Sequence, residues 1–410
     1  MTLSIRLFTS MNYYFKHLLF ILLFVIGINI STNAQENIKA DSTALLQETD
    51  TTKQEKNFRF SILGGPGYTP DFGFLIGGSM LFTFRTEDDP DLKRSVVPFA
   101  FAVMFEGGLN LLTRPQLFFN EDRFRLFGNF SYVNIQDNYY GVGFETNKNT
   151  ERSSSTTEFR RTGYQINPIF LFKIADSDFY IGPSLDFLHS TMDNPSEGVV
   201  NDPNYIEQGG TEDGIKYYSS GIGLNLSYDT RDIPANPYKG MLLEANATYY
   251  ADIFGATNSY SVYTLQYRQF QSLPFIGERK VLAWHVKTRL TTGDVPLTSL
   301  SIVGSPFDIR GYYAGQYRDA NSLLGVVEYR HMFNTPGGTK FSRLLSKTGF
   351  AVWGGMGTIG PSLDELSEIL PNYGIGLRIE VQPRMNFRID VGKNPINNQT
   401  LLYFNMTEAF

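Results

Sequence analysis

From residue 57 onward, apolar and polar side chains alternate with a period of two, in one stretch after another. In RFRLFGNFSYV (123–133), Phe124, Leu126, Phe130 and Tyr132 share one face, while Arg123, Arg125, Asn129 and Ser131 share the other. KGMLLEANATYY sets Met241, Leu243, Ala245 and Ala247 against Leu242, Glu244, Asn246 and Thr248. VLAWHVKTRL sets Leu282, Trp284, Val286 and Leu290 against Ala283, His285, Lys287 and Arg289. Successive side chains on a strand point to opposite sheet faces, so this pattern predicts strands with one apolar and one polar face. Sixteen such stretches lie between 57–67 at the start and 399–410 at the end.

Many of these stretches reach about ten residues or more, where strands of soluble sheets are usually nearer five or six. Membrane strands need roughly 9–11 residues, and lipid satisfies no backbone hydrogen bond, so such a sheet must close. The pattern therefore predicts an all-β fold: a sixteen-stranded antiparallel transmembrane β-barrel over 57–410. The connections fit. TEDDPD, FNED, ADSD and QPRM follow even-numbered stretches as short turns, while the polar runs at 135–154, 191–213 and 293–320 follow odd-numbered ones. The exception is NTPGGTKFSRLLS (334–346), which is long where a short turn is expected.

The N-terminus sets the destination. Arg6 and Lys16 precede the apolar run HLLFILLFVIGI (17–28), and Thr32 and Ala34 supply small residues for cleavage, so residues 1–34 read as a secretory signal peptide. That run is too short for a membrane-spanning helix, which needs ~20 apolar residues. Residues 35–56, rich in Thr, Gln and charge, carry too little apolar surface to fold and read as a disordered periplasmic tail. Signal and barrel together point to a bacterial outer membrane.

Composition narrows the chemistry. Aromatic residues are 15 % of the chain and glycines number 38, a β composition. A formal net charge of −6 leaves no basic face, which argues against a nucleic-acid partner. There are no cysteines, which excludes thiol catalysis, disulfides and cysteine metal sites. Four histidines, one of them in the signal peptide, form no ligand cluster along the chain. His189 and Ser190 are neighbours on a strand and so point apart, a poor arrangement for proton transfer. No cofactor, metal or catalytic group is expected, and the chain reads as a non-enzyme.

The stretch FDIRGYYAGQYRD (307–319) is unusual for a loop, with two glycines, three tyrosines and an Arg-Gly-Tyr. With SYDTRDIPANPYKGMLLEANATYY (227–250), LLGVVEYRHMF (323–333) and YGIGLRIEVQPRMNFRIDVG (373–392), it resembles the BamA/TamA-like outer-membrane proteins, the bacterial surface antigen family. The resemblance covers 57–410. It implies sixteen strands and an inward-folded sixth outer loop carrying Arg310, Gly311 and Tyr312. It also implies a periplasmic turn motif of Asp229, Arg231, Asp232, Pro237 and Gly240. A lumenal guanidinium needs a carboxylate, and alternation offers Glu328, Glu380 and Asp390; the resemblance singles out Glu328. Two features depart from the family pattern. Only residues 35–56 stand where periplasmic repeat domains usually precede the barrel, and Gly355 occupies the place of an acid in the thirteenth strand.

The function this resemblance implies is translocation or insertion of protein, or of lipid, at the outer membrane. The expected partners are outer-membrane lipid together with a protein cargo or periplasmic partner. A passive or regulated pore and a structural surface antigen are the alternatives.

Overall fold

The computed structural model describes residues 57–89, 92–234, 236–335, 337–366, 368–382 and 384–410. The signal peptide and tail expected over 1–56 lie outside these residues.

The chain runs up and down as a meander of β1 (Arg59–Thr69), β2 (Gly73–Phe84), β3 (Ser95–Met104), β4 (Gly108–Thr113), β5 (Gln116–Phe119), β6 (Phe124–Asn138), β7 (Glu158–Lys173), β8 (Phe179–Met192) and β9 (Ile215–Asp229). It continues through β10 (Gly240–Tyr250), β11 (Tyr260–Ser272) and β12 (Lys280–Gly293). The short pair β13 (Ser301–Val303) and β14 (Tyr317–Asp319) follows. Then come β15 (Asn321–Met332), β16 (Thr348–Gly360), β17 (Leu370–Gln382), β18 (Met385–Asn394) and β19 (Gln399–Met406). Apart from β13 and β14, which pair with each other, the strands make one 17-stranded antiparallel sheet. β4 and β5 both lie between β3 and β6, so they share one of the sheet's sixteen positions. The break falls at Arg114 and Pro115, because proline has no N–H to give to a ladder.

Each of the sixteen stretches marked by alternation overlaps one of these strand positions, and several strands run a few residues further than the pattern marks. The alternation sorts the two faces as expected. On β15, Leu324, Val326, Glu328 and Arg330 are buried, whereas Leu323 and Val327 are exposed to the lipid side. The two ends of the sheet come side by side, with the rings of Tyr68 and Phe404 6.2 Å apart. Among the described residues, no backbone ladder joins β1 to β19.

The last stretch departs from expectation. β19 stops at Met406, Thr407 takes a left-handed φ of 66°, and Glu408, Ala409 and Phe410 turn inward and are buried. Glu408, which interrupts the alternation, is satisfied by charged groups inside the barrel instead.

One end of the barrel carries the long connections. These hold α1 (Phe144–Asn149), α2 (Glu197–Val200) and α3 (Pro203–Glu207), and they fold over one another. Tyr139 Oη donates to Asp202 Oδ1 at 2.9 Å, and Tyr205 and Met192 are buried among them. At the other end the connections β5–β6, β7–β8 and β17–β18 are tight turns, and the longest connection there holds α4 (Lys340–Leu345).

Candidate functional site: a loop docked on a buried ion cluster

The connection between β12 and β15 folds back against the inner wall formed by β15 to β19. Arg310 has no solvent exposure. Its Nη2 donates to Glu328 Oε2 at 2.5 Å and its Nη1 to Asp390 Oδ2 at 2.7 Å. The guanidinium also lies 3.5 Å from the centre of the Trp353 ring, a cation–π contact of the kind that strengthens when water is excluded.

The pair is part of a larger cluster. Arg330 Nε donates to Glu328 Oε1 at 2.7 Å. Arg378 donates through Nη1 to Asp390 Oδ1 at 2.6 Å and through Nε to Glu408 Oε2 at 2.8 Å. Arg388 also donates to Asp390. Four guanidiniums thus share three carboxylates, so each acid is held by more than one base. Buried charges are tolerated only when paired and hydrogen-bonded in this way.

The loop backbone is pinned as well. Gly311 has a φ of 113°, which an L side chain rarely adopts, and a Cβ there would stand 2.8 Å from the Lys393 carbonyl carbon. Across the contact, a Cβ on Gly392 would stand 2.9 Å from the Arg310 carbonyl carbon. Two glycines therefore let loop and strand touch backbone to backbone. Gly311 N donates to Tyr403 Oη, Tyr312 Oη to the Pro371 carbonyl and Asn372 Nδ2 to the Arg310 carbonyl. The loop tip reaches the β1–β2 turn, where Ala314 N donates to Asp71 Oδ1 at 2.6 Å. Arg152, from the β6–β7 connection, donates to the carbonyls of Pro70 and Asp71 and lies over the Tyr313 ring. Burial pushes the Asp71 carboxyl up to about 6, against the opposing pull of the Ala314 N–H and Arg152.

Of the three acids alternation offered to Arg310, Glu328 and Asp390 meet it and Glu380 does not. Glu380 faces inward near the short-turn end of β17, and Arg279 Nη2 donates to it at 2.8 Å. Gly355 has no room for an acid: a Cβ there would lie 2.7 Å from Asn372 Oδ1 and 2.8 Å from the Gly325 carbonyl oxygen. The second carboxylate comes from Asp390, two strands away. Arg330, Arg378, Trp353 and Tyr403 complete the site without a mark of their own in the sequence, and Glu408 is marked there only as a break in the alternation. Alternation puts Arg330 and Arg378 on inward faces, but nothing in the sequence marks their convergence.

The turn motif has its own geometry. Arg231 Nε and Nη2 donate to the two Asp229 oxygens at 2.9 and 2.8 Å. Asp232 Oδ1 accepts from Tyr238 N at 3.0 Å, and its Oδ2 accepts from Arg384 Nη2 at 2.7 Å. Partial burial of Asp232 opposes its charge, but these donors outweigh it and hold the carboxyl below its usual range. Pro237 is buried in the turn, and Gly240, with a φ of 97°, closes it. Arg384 also lies over the Tyr238 ring, so this turn is tied across to the β17–β18 turn.

Opposite the docked loop, the inner wall encloses a cavity of about 480 Å³ lined by carboxamides and hydroxyls, among them Asn129, Gln165, Asn225, Asn246 and Thr248. Of the lumenal cations, Arg125 pairs with Asp122 and Arg289 donates to Ser301. His189 stacks on Tyr218 on the outward face. Among the described residues, no group of three or more histidines or acids could hold a metal.

A membrane-spanning sheet with a connecting loop ion-paired inside it defines a class: outer-membrane barrels with an internal loop. The chain belongs to the Omp85 superfamily, whose domain description matches residues 107–410. It is an outer-membrane barrel of the insertion and translocation type. Among solved structures it is similar to BamA from Haemophilus ducreyi lacking POTRA domains 1–3. The identity is 13 %, with 90 % of this chain and 78 % of that chain covered and a TM-score of 0.58. It is also similar to CdiB from Escherichia coli, at 11 % identity over 87 % of this chain and 63 % of that chain, with a TM-score of 0.53. No curated protein matches the sequence.

Proposed function

We propose that this barrel moves or inserts a polypeptide at the outer membrane without chemical catalysis, and that the Arg310 loop sets which internal arrangement the barrel holds. The observation that carries this reading is the fully buried Arg310, shared between Glu328 and Asp390. A solvated loop gains roughly 0–1 kcal/mol from an exposed ion pair. A loop whose buried cation is shared between two buried carboxylates has a preferred seat, and leaving it takes one cation from each of them. The cavity opposite leaves space lined largely by polar side chains along the rest of the wall. In this reading the long connections face outside and the short turns face the periplasm, with lipid around the barrel and a protein cargo as partner.

Planar-bilayer recording tests it. The seated loop predicts small, irregular openings in the wild type and larger, steadier ones in Arg310→Ala. Large, steady unitary currents from the wild type would instead identify a passive pore.

A further inference from the structure

The connection between β15 and β16 is longer than any other at its end of the barrel. Its helix α4 presents Phe341 and Leu344 at 72 % and 62 % exposure, three residues apart and therefore on one face. Lys340 and Arg343 flank that face, and Lys347 follows one turn on; all three are exposed, and residues 333–348 contain no acid. None of the three makes an ion pair among the described residues.

A second pair of exposed apolar side chains stands beside it. In the β11–β12 turn, Phe275 is 82 % exposed and Ile276 51 %. The two connections are joined: Arg279 Nη1 donates to the Ser346 carbonyl at 2.7 Å, and Asn334 Nδ2 to Glu278 Oε2 at 3.0 Å. They form one unit on the rim.

The neighbouring outer wall points to what covers this unit. Tyr329 and His331 on β15, Phe333 just beyond it and Phe350 on β16 form a contiguous ring cluster, with His331 and Phe350 stacked 4.8 Å apart. Aromatic girdles of this kind mark the level of the lipid headgroups on a barrel wall. α4 begins shortly after Phe333, which places its exposed apolar side chains at the rim next to this girdle. Apolar side chains at that level, flanked by unpaired cations, are the combination that interfacial helices use against anionic lipid.

We propose that the β15–β16 connection and the β11–β12 turn form a membrane foot. Phe341, Leu344, Phe275 and Ile276 enter the phospholipid monolayer at the short-turn rim, while Lys340, Arg343 and Lys347 take lipid phosphates. The foot would hold that rim at a fixed depth and enrich anionic phospholipid beside it.

The cysteine-free chain allows a clean test. Spin labels are placed on the full chain at Phe341→Cys, at Leu344→Cys and at exposed Lys239→Cys in the β9–β10 turn as the reference. The protein is reconstituted into vesicles of phosphatidylethanolamine with or without phosphatidylglycerol, and heat-modifiable migration checks that each variant is folded. Labels at 341 and 344 should be relaxed mainly by oxygen, and the label at 239 mainly by a water-soluble nickel complex. Combining Lys340→Glu, Arg343→Glu and Lys347→Glu should lower phosphatidylglycerol enrichment roughly tenfold and bring the 341 label toward water. Nickel-accessible labels at both 341 and 344 would overturn the proposal. So would shielding that appears only when a periplasmic extract is added, which would make the surface a protein-docking site.

Discussion

Gly376 lies directly opposite Asp390 in the β17–β18 ladder, and a Cβ placed on it would fall 1.9 Å from Asp390 Oδ1 and 2.5 Å from Arg378 Nη1. The missing side chain is the space in which the ion cluster forms. At the next pair on the same face of the ladder, Arg378 and Arg388 face each other as like charges, and Asp390 accepts from both. One glycine therefore allows two arginines and an acid to share a small area of wall.

Gly376→Ala should accordingly destabilise the barrel by about 1–3 kcal/mol, the usual cost of overpacking. Gly65→Ala is the control, since a Cβ there meets nothing within 4 Å. Heat-modifiable gel migration and melting temperature would check this. Equal behaviour of the two variants would mean that Asp390 can move aside freely.

The geometry also decides the outcome of a charge swap. Arg310→Ala leaves Glu328 with Arg330 and leaves Asp390 with Arg378 and Arg388. Its cost should therefore fall below the 3–5 kcal/mol expected when a buried ion loses its only partner, at about 2–3 kcal/mol. Arg310→Glu should be worse than Arg310→Ala, because a new carboxylate would face both Glu328 and Asp390. Adding Glu328→Arg should give little recovery, since Asp390 still opposes the introduced carboxylate and Arg330 would oppose the introduced guanidinium. Melting temperatures of the two single variants and the double variant check this. Near-complete recovery in the double variant would show that Glu328 alone sets the loop's seat.

Much of this fold is legible in the sequence because a lipid-facing barrel enforces alternation strictly: on β18, Arg388 and Asp390 fall on one face and Phe387, Ile389 and Val391 on the other. The partners of Arg310 are less legible. Glu328, Glu380 and Asp390 all face inward, and what separates them is height along the barrel, which depends on strand stagger rather than periodicity. Glu380 sits level with the turns, within reach of Arg279. Glu408 escapes the pattern because the chain leaves the ladder at Thr407, where a positive φ turns the backbone inward.

Arg384→Ala should release the β9–β10 turn. Its guanidinium holds Asp232, the Asn236 carbonyl and the Tyr238 ring at once, though it is only partly buried. The stability loss should be modest, about 1 kcal/mol, but the segment 230–239 should become a protease site in detergent-solubilised protein. Unchanged cleavage kinetics would mean that the Asp229–Arg231 pair and the Asp232 hydrogen bonds hold the turn alone.

The loop-tip contact predicts a specific pH dependence. Asp71 titrates near 6 in the folded chain, above the ordinary 3.8, because burial disfavours its charged form. The folded state therefore binds a proton more readily than the unfolded state between these values, and stability contributed by this group declines as pH rises from about 4 to about 6. Above that window the ionised carboxylate carries a constant net penalty of about 1–3 kcal/mol, which is what remains after the Ala314 N–H and Arg152 offset part of the cost of burial. Asp71→Asn keeps an acceptor for Ala314 but carries no charge, so it should remove this slope. Relative to wild type it should be more stable at pH 7.5 and no different at pH 4, in melting temperatures taken across the range. A variant that is less stable than wild type at pH 7.5 would show that the ionised carboxylate, through Arg152, holds the loop tip, and that burial is the smaller influence.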